Sequence, residues 1–101
     1  MHVVYILRCQ DGTLYTGAAK DLARRLAQHA AGRASRYTRT RLPVELAWSR
    51  RVRTWGDALK TEHWIKTLTR PEKDALIGGA RLRRNGARLR RDGARLGRRR
   101  G

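Results

Sequence analysis

Apolar and polar positions follow the period of a strand at the start of the chain and that of a helix further on. Val3 to Leu7 is a β-branched and aromatic run, Gln10-Asp11-Gly12 is a turn signal, and Thr13 to Thr16 resumes strand-forming residues, so a hairpin is expected, closed by Gly17. Asp21 is placed to cap a helix running to about Ala31 and ending at Gly32, with Leu22, Leu26 and Ala30 as its apolar stripe. Tyr37 to Arg41 has room for a short helix before Pro43, after which Val44 to Ser49 alternates as a third strand. Thr54 with Asp57 resembles a capping box opening a helix to about Leu68. Thr69 with Glu72, and Pro71 inside the first turn, opens another that ends near Ile77. The expected order is β-β-α-(α)-β-α-α, an α/β domain with a small sheet covered by helices.

This patterning stops at Gly78-Gly79, where a seven-residue unit begins: GARLRRN from Gly79, GARLRRD from Gly86 and GARLGRR from Gly93. Leu82, Leu89 and Leu96 keep a heptad spacing, but each unit opens with a glycine, which costs about 1 kcal/mol in a helix interior, and the arginines repel one another. A domain over residues 1–78 followed by a disordered basic tail over 79–101 is therefore expected, the tail gaining helix only on an anionic surface. A chain of 101 residues has room for one such domain, burying roughly 60 to 70% of its unfolded surface.

Charge narrows the partner. The chain carries 25 Lys and Arg against 8 Asp and Glu, a formal net charge of +17. Ten arginines against the single Asp92 place +9 of it in residues 79–101, and the other +8 lies in residues 1–78. Folding requires no such imbalance, and it points to a polyanion. Arg far outnumbers Lys, and its planar fork binds phosphate bidentately, which favours nucleic acid over a membrane surface. Arg81, Arg83, Arg84, Arg88, Arg90 and Arg91 of the tail are candidate phosphate contacts, and Lys66 is placed either to join them or to pair with Glu62 one turn before it. With Cys9 as the sole cysteine there is no internal disulfide or structural zinc cluster. Val3 to Leu7 is too short for a signal core or a membrane span, so a cytoplasmic location with no membrane contact is expected, with room for nucleoid association; no obligate protein partner is expected.

A few residues sit awkwardly for structure alone. Stepping by three and four, the buried stripe of the helix from Trp55 reads Trp55, Ala58, Leu59, Glu62, Ile65, which sets Glu62 in the middle of an apolar face. A carboxylate there is paired, protonated or bound to a metal, and a salt bridge to a core-edge arginine is the plainest of these. Arg25 and His29 are spaced i, i+4 and point the same way beside Leu22 and Leu26, bringing a cation next to a proton-transfer group, although either alone is more often a solvated residue. Tyr5 and Tyr15 lie on the two hairpin strands and share a face only if the register allows. Cross-strand packing explains them as well as a phenolic oxygen that holds or activates water. Trp48, Trp55, Trp64 and Tyr37 are candidates for stacking on unpaired bases, with core packing the alternative.

Taken together, Val3-Val4-Tyr5, Tyr15-Thr16-Gly17, Arg25, His29 and Glu62 at these separations resemble the GIY-YIG nuclease domain. The runs Tyr5-Ile6-Leu7-Arg8-Cys9, Leu14-Tyr15-Thr16-Gly17, Asp21-Leu22, Tyr37-Thr38 and Pro43-Val44-Glu45-Leu46 are most similar to its small stand-alone bacterial members, relatives of the first catalytic half of the excinuclease C subunit. The resemblance spans roughly residues 2–78 and stops at the tail. It implies a three-stranded antiparallel sheet flanked by helices and a divalent-metal-dependent endonuclease, acting on DNA before RNA with weak sequence preference, in DNA repair by analogy. It implies that Glu62 is the sole protein ligand of one Mg²⁺ or Mn²⁺ ion and that Arg25 clamps the scissile phosphate. Tyr5 is then the general base or positions the nucleophile, Tyr15 holds phosphate or water, and His29 relays or removes a proton. Cys9 takes no part. Val3 replaces the first glycine of the name motif, and Ala18 stands where some relatives carry lysine, so any base beside the tyrosines must be His29 or a neighbour. No counterpart of a late asparagine used near the metal is evident. The rival reading is a non-catalytic nucleic-acid-binding module with the same fold and basic surface.

Overall fold

The computed structural model describes residues 2–79; the heptad tail, with the candidate phosphate contacts Arg81 to Arg91, lies outside the described residues. The described elements run β1 (His2–Cys9), β2 (Leu14–Ala19), α1 (Leu22–Ala30), α2 (Arg36–Arg39), β3 (Val44–Val52), α3 (Trp55–Lys66) and α4 (Arg70–Ile77). That is the order expected from the sequence, with β3 three residues longer. No helix among the described residues is long and apolar enough to cross a membrane. The chain falls into two units, the first Met1–Lys66 and the second beginning at Thr67.

In the first unit the antiparallel sheet has the order β2-β1-β3, with the apolar β1 in the centre. The hairpin turn rests on Asp11, whose carboxylate accepts from the Thr13 amide at 3.1 Å and the Thr13 hydroxyl at 2.6 Å, while Gly12 supplies the left-handed φ of +86°. Tyr5 pairs with Gly17 and Leu7 with Tyr15, so both tyrosines stand on one face of the sheet. Gly17 does not close the hairpin as the sequence suggested; β2 runs through it to Ala19. On that face Tyr5, Leu7 and Ala19 form a core against which Leu22 and Leu26 of α1 and Val44 of β3 pack. The opposite face of β1, carrying Val4 and Ile6, is also closed to solvent.

A bulge in β3 changes what that strand presents. Ile6 pairs with Trp48 but Leu7 pairs with Leu46, so Ala47 is the extra residue, and Leu46 and Trp48 fall on opposite faces instead of the single face that simple alternation implies. Beyond the bulge Ser49 is across from Tyr5 and Arg51 from Val3, so both lie on the tyrosine face.

Helices α1 and α3 start where the caps predict: Asp21 accepts from the Arg24 amide and Thr54 from that of Asp57. Helix α2, expected over Tyr37 to Arg41, instead runs from Arg36 to Arg39, because Ser35 caps it by accepting from the amides of Tyr37 and Thr38. Two stripes are rotated from expectation. On α1 Ala30 is exposed and His29 is the buried residue, because the helix turns its i, i+3 positions toward the tyrosines. On α3, which packs against all three strands, the buried residues are Ala58, Thr61, Trp64 and Ile65, whereas Trp55 and Leu59 are exposed. The centre of that face is therefore Thr61, and Glu62 stands at its edge.

In the second unit α4 opens with a complete capping box: Thr69 Oγ1 accepts from the Glu72 amide at 3.3 Å and Glu72 Oε1 accepts from the Thr69 amide at 2.8 Å. Arg70 and Asp74 pair one turn apart at 3.0 Å.

Candidate active site

The site is built on the tyrosine face of the hairpin. Tyr5 is fully buried, and its hydroxyl has room only because its cross-strand partner is glycine: a Cβ at Gly17 would stand 2.6 Å from the Tyr5 oxygen and 3.2 Å from the Tyr15 ring. His29 reaches the same point from α1. Its Nε2 lies 2.9 Å from the Tyr5 hydroxyl and its Nδ1 2.9 Å from Thr38 Oγ1, and all three side chains are closed to solvent.

Around this buried line the aromatic groups step outward. The rings of Tyr5 and Tyr15 both meet the His29 imidazole edge to face, at 5.7 and 5.4 Å between centroids. The half-buried Tyr15 stacks on Tyr37 at 6.0 Å, and Arg41 lies 3.9 Å above the outer Tyr37 ring. Arg41 is itself held by Asp11 at 3.1 Å and by the Tyr37 carbonyl at 2.8 Å, which ties the loop before β3 to the hairpin turn. Thr13 chiefly, with Arg41 assisting, holds the Asp11 carboxyl below its ordinary range.

Electrostatics bring in the remaining two residues. Burial pushes the Tyr5 phenol up to about 12; the Tyr15 phenol and the Glu62 carboxylate add to the rise, while the Arg25 guanidinium opposes it. Burial likewise lowers the His29 imidazole, and the positive charge of Arg25 lowers it further. His29 is thus a neutral imidazole at neutral pH, and Tyr5 a neutral phenol. Arg25 is steadied by Gln28, whose Oε1 accepts from Nε at 3.1 Å. Glu62 is paired with Lys66, Oε2 to Nζ at 2.9 Å, so the carboxylate that looked anomalous in the sequence has a partner one turn away, a lysine on its own helix instead of a core-edge arginine.

Tyr15, Arg25, His29 and Glu62 thus all act on Tyr5, through ring contact, hydrogen bond or charge. Sequence reasoning missed Thr38 as the second partner of His29. The short helix that carries Thr38 was expected, but not which side chain Thr38 would meet. It also missed Ser49 and Arg51, which only the bulge turns toward this face. Cys9 is a buried residue at the end of β1. Of the aromatic candidates for base stacking, Trp64 is core, whereas Trp55 and Tyr37 keep over a third of their surface exposed, 39% and 37%.

Among the described residues no group of three or more His, Cys, Asp or Glu is gathered for a metal. A single half-buried carboxylate suits only a hard cation that takes most of its ligands from water and substrate, as Mg²⁺ and Mn²⁺ do. Glu62 fits that requirement.

The model of the GIY-YIG catalytic domain matches residues 1–75 of the chain. The chain belongs to the GIY-YIG family, a family of nucleases. Within it, the similar proteins are small stand-alone members. A UPF0213 protein of Staphylococcus epidermidis is 47% identical over 76 residues, covering 75% of this chain and 93% of the relative. One of Staphylococcus saprophyticus is 45% identical over the same length. The solution structure of the UPF0213 protein BH0048 from Bacillus halodurans aligns with a TM-score of 0.51 at 39% identity, covering 76% of this chain and 82% of that one.

Proposed function

We propose that the protein is a divalent-metal-dependent endonuclease that hydrolyses phosphodiester bonds, in DNA before RNA and with weak sequence preference. The observation that carries this reading is the buried hydrogen bond between Tyr5 and His29, with the Arg25 cation and the Glu62 carboxylate both within electrostatic range of the Tyr5 oxygen. A cross-strand packing pair would need neither the buried imidazole nor the two charges.

The residues divide the work as follows. Water attacks phosphorus in line and gives its proton to the Tyr5 oxygen, which is closed to solvent in the free chain, so the step requires bound substrate to bring the water against it. A phenol with its pKa near 12 is a poor base by itself, so Tyr5 passes its own proton to the neutral His29 as it takes one. Arg25 offsets the charge that grows on the phosphate, and Tyr15 holds a phosphate oxygen or the water. Glu62 would hold one Mg²⁺ or Mn²⁺ ion, which when bound polarises the phosphate and steadies the leaving oxygen. Ser49 and Arg51 extend the face on which a phosphate backbone would lie, and the basic tail adds sequence-independent affinity.

The test is cleavage of a panel of single-stranded, duplex and branched DNA and RNA by the full chain, with Mg²⁺, with Mn²⁺ and with chelator. Metal-dependent cutting is expected, lost in Glu62→Ala while binding to the same substrates persists. No cutting of any substrate with either metal would sink the reading and leave a binding module.

A further inference from the structure

We propose that Thr38 is a positioning residue that sets the tautomer of His29, by accepting the Nδ1 proton so that Nε2 is left bare to receive the proton of Tyr5. The assignment comes from counting protons along the buried line. Thr38 Oγ1 lies 2.9 Å from His29 Nδ1 and 3.5 Å from the carbonyl oxygen of Ser35, one turn earlier. A hydroxyl has a single proton, and a carbonyl can only accept it. The Ser35 contact is long for an O–H···O bond, so it allows the ring to be the donor at Nδ1 but does not by itself require it.

The other end of the imidazole decides the direction. The Tyr5 hydroxyl also has one proton, and it is buried beside Arg25, a side chain with donors only. Its acceptor is His29 Nε2, at 2.9 Å. The opposite tautomer would point Nε2–H at the Tyr5 oxygen and leave the Tyr5 proton facing a guanidinium. Edge contacts from the rings of Tyr5 and Tyr15 hold the imidazole in this orientation. Ser35 is also the N-cap of α2, so the end of the line is tied to the start of that helix. The logic is that of a base oriented by a third group, with a neutral hydroxyl in the place a carboxylate often takes.

The consequence for turnover rests on the nuclease reading; the tautomer itself rests on the hydrogen bonds alone. As the bond from water oxygen to phosphorus forms, the water O–H breaks and its proton goes to the Tyr5 oxygen. The Tyr5 proton moves to Nε2, and the leaving oxygen, released as its bond to phosphorus breaks, is protonated by solvent. The imidazolium so formed has both N–H groups engaged, one by Tyr5 and one by Thr38.

The experiment is ¹⁵N NMR of the full chain with labelled histidine, reading the two ring nitrogens of His29 at neutral pH, in parallel with cleavage kinetics. The wild type and Thr38→Ser are expected to show protonated Nδ1 and bare Nε2, and Thr38→Val a mixed or reversed pattern. Thr38→Val should lower kcat by about ten- to a hundredfold with KM unchanged, and Thr38→Ser should restore it. A protonated Nε2 in the wild type overturns the proposal without any variant, and so does a Thr38→Val pattern identical to wild type. A Thr38→Val chain that reverses the tautomer yet cuts at the wild-type rate overturns the positioning role and leaves the nuclease reading standing. If the wild type cuts nothing, the nuclease reading falls by itself, and the ring nitrogens still decide the tautomer.

Discussion

Gly17 stands directly across the strand pair from Tyr5, and the space where its side chain would be is taken by the Tyr5 hydroxyl. Tyr5 is fully buried and hydrogen-bonded to His29, so its ring cannot swing aside to admit a methyl group. Gly17→Ala is expected to destabilise the chain by about 1–3 kcal/mol through overpacking and to break the 2.9 Å hydrogen bond to His29, abolishing cleavage. Thermal unfolding and kinetics on the same sample check both effects. An alanine variant with wild-type melting and turnover would show that the glycine makes no room that matters.

Lys66 holds the Glu62 carboxylate at 2.9 Å, so on the proposed mechanism it competes with the metal ion for that group. The pair is half-exposed and lies one helical turn apart, so it contributes only about 0.3–0.5 kcal/mol to stability. Lys66→Ala is therefore expected to leave the melting temperature nearly unchanged and to lower the Mg²⁺ concentration that half-saturates cleavage. If instead the KM for nucleic acid rises with the metal requirement unmoved, Lys66 serves the phosphate backbone.

Stability should fall at both ends of the pH range, for opposite reasons. Burial holds the folded His29 below its ordinary value of 6.5, so on acidification the unfolded chain binds a proton that the folded chain refuses, and stability declines as pH falls through and below that value. Folded Tyr5 keeps its proton to about 12 against an ordinary 10.0, so the unfolded chain ionises first and stability declines as pH rises above 10.0. Melting curves from pH 5 to 11 check both limbs, flanking the range with roughly one unit beyond each ordinary value. His29→Gln should flatten the acid limb and Tyr5→Phe the alkaline one.

The tail carries +9 of the net charge without any residue of the proposed chemistry. Deleting residues 79–101 should weaken binding to nucleic acid and flatten the slope of log K against log salt, by up to about 0.9 for each phosphate that the shortened chain leaves unneutralised, while kcat at saturation is kept. Binding isotherms across a salt series measure the slope directly. An unchanged slope would mark the repeats as incidental.

Local information was enough for the elements and their order. Caps at Asp21, Thr54 and Thr69, the turn at Asp11-Gly12, and the i, i+4 spacing of Arg25 and His29 are relations within a few residues, and short-range sterics and hydrogen bonding decide them. The family resemblance then joined Tyr5, Tyr15, Arg25, His29 and Glu62, and the match over residues 1–75 establishes that family.

What stayed hidden depends on contacts between residues far apart in the chain. The register of β1 against β2 decides that Tyr5 and Tyr15 share a face and that Gly17 sits inside a strand under a phenol, and a slip of one residue would reverse both. The rotation of α3 about its axis, set by what it packs on, makes Thr61 and not Glu62 the centre of its buried face. A single bulge at Ala47 turns Ser49 and Arg51 toward the site. The sequence alone determined which chemical groups the protein has and which local structures hold them. The tertiary structure decided which of those groups meet, because pairing register, helix rotation and the buried line from Tyr5 through His29 to Thr38 are properties of packing and not of any one segment.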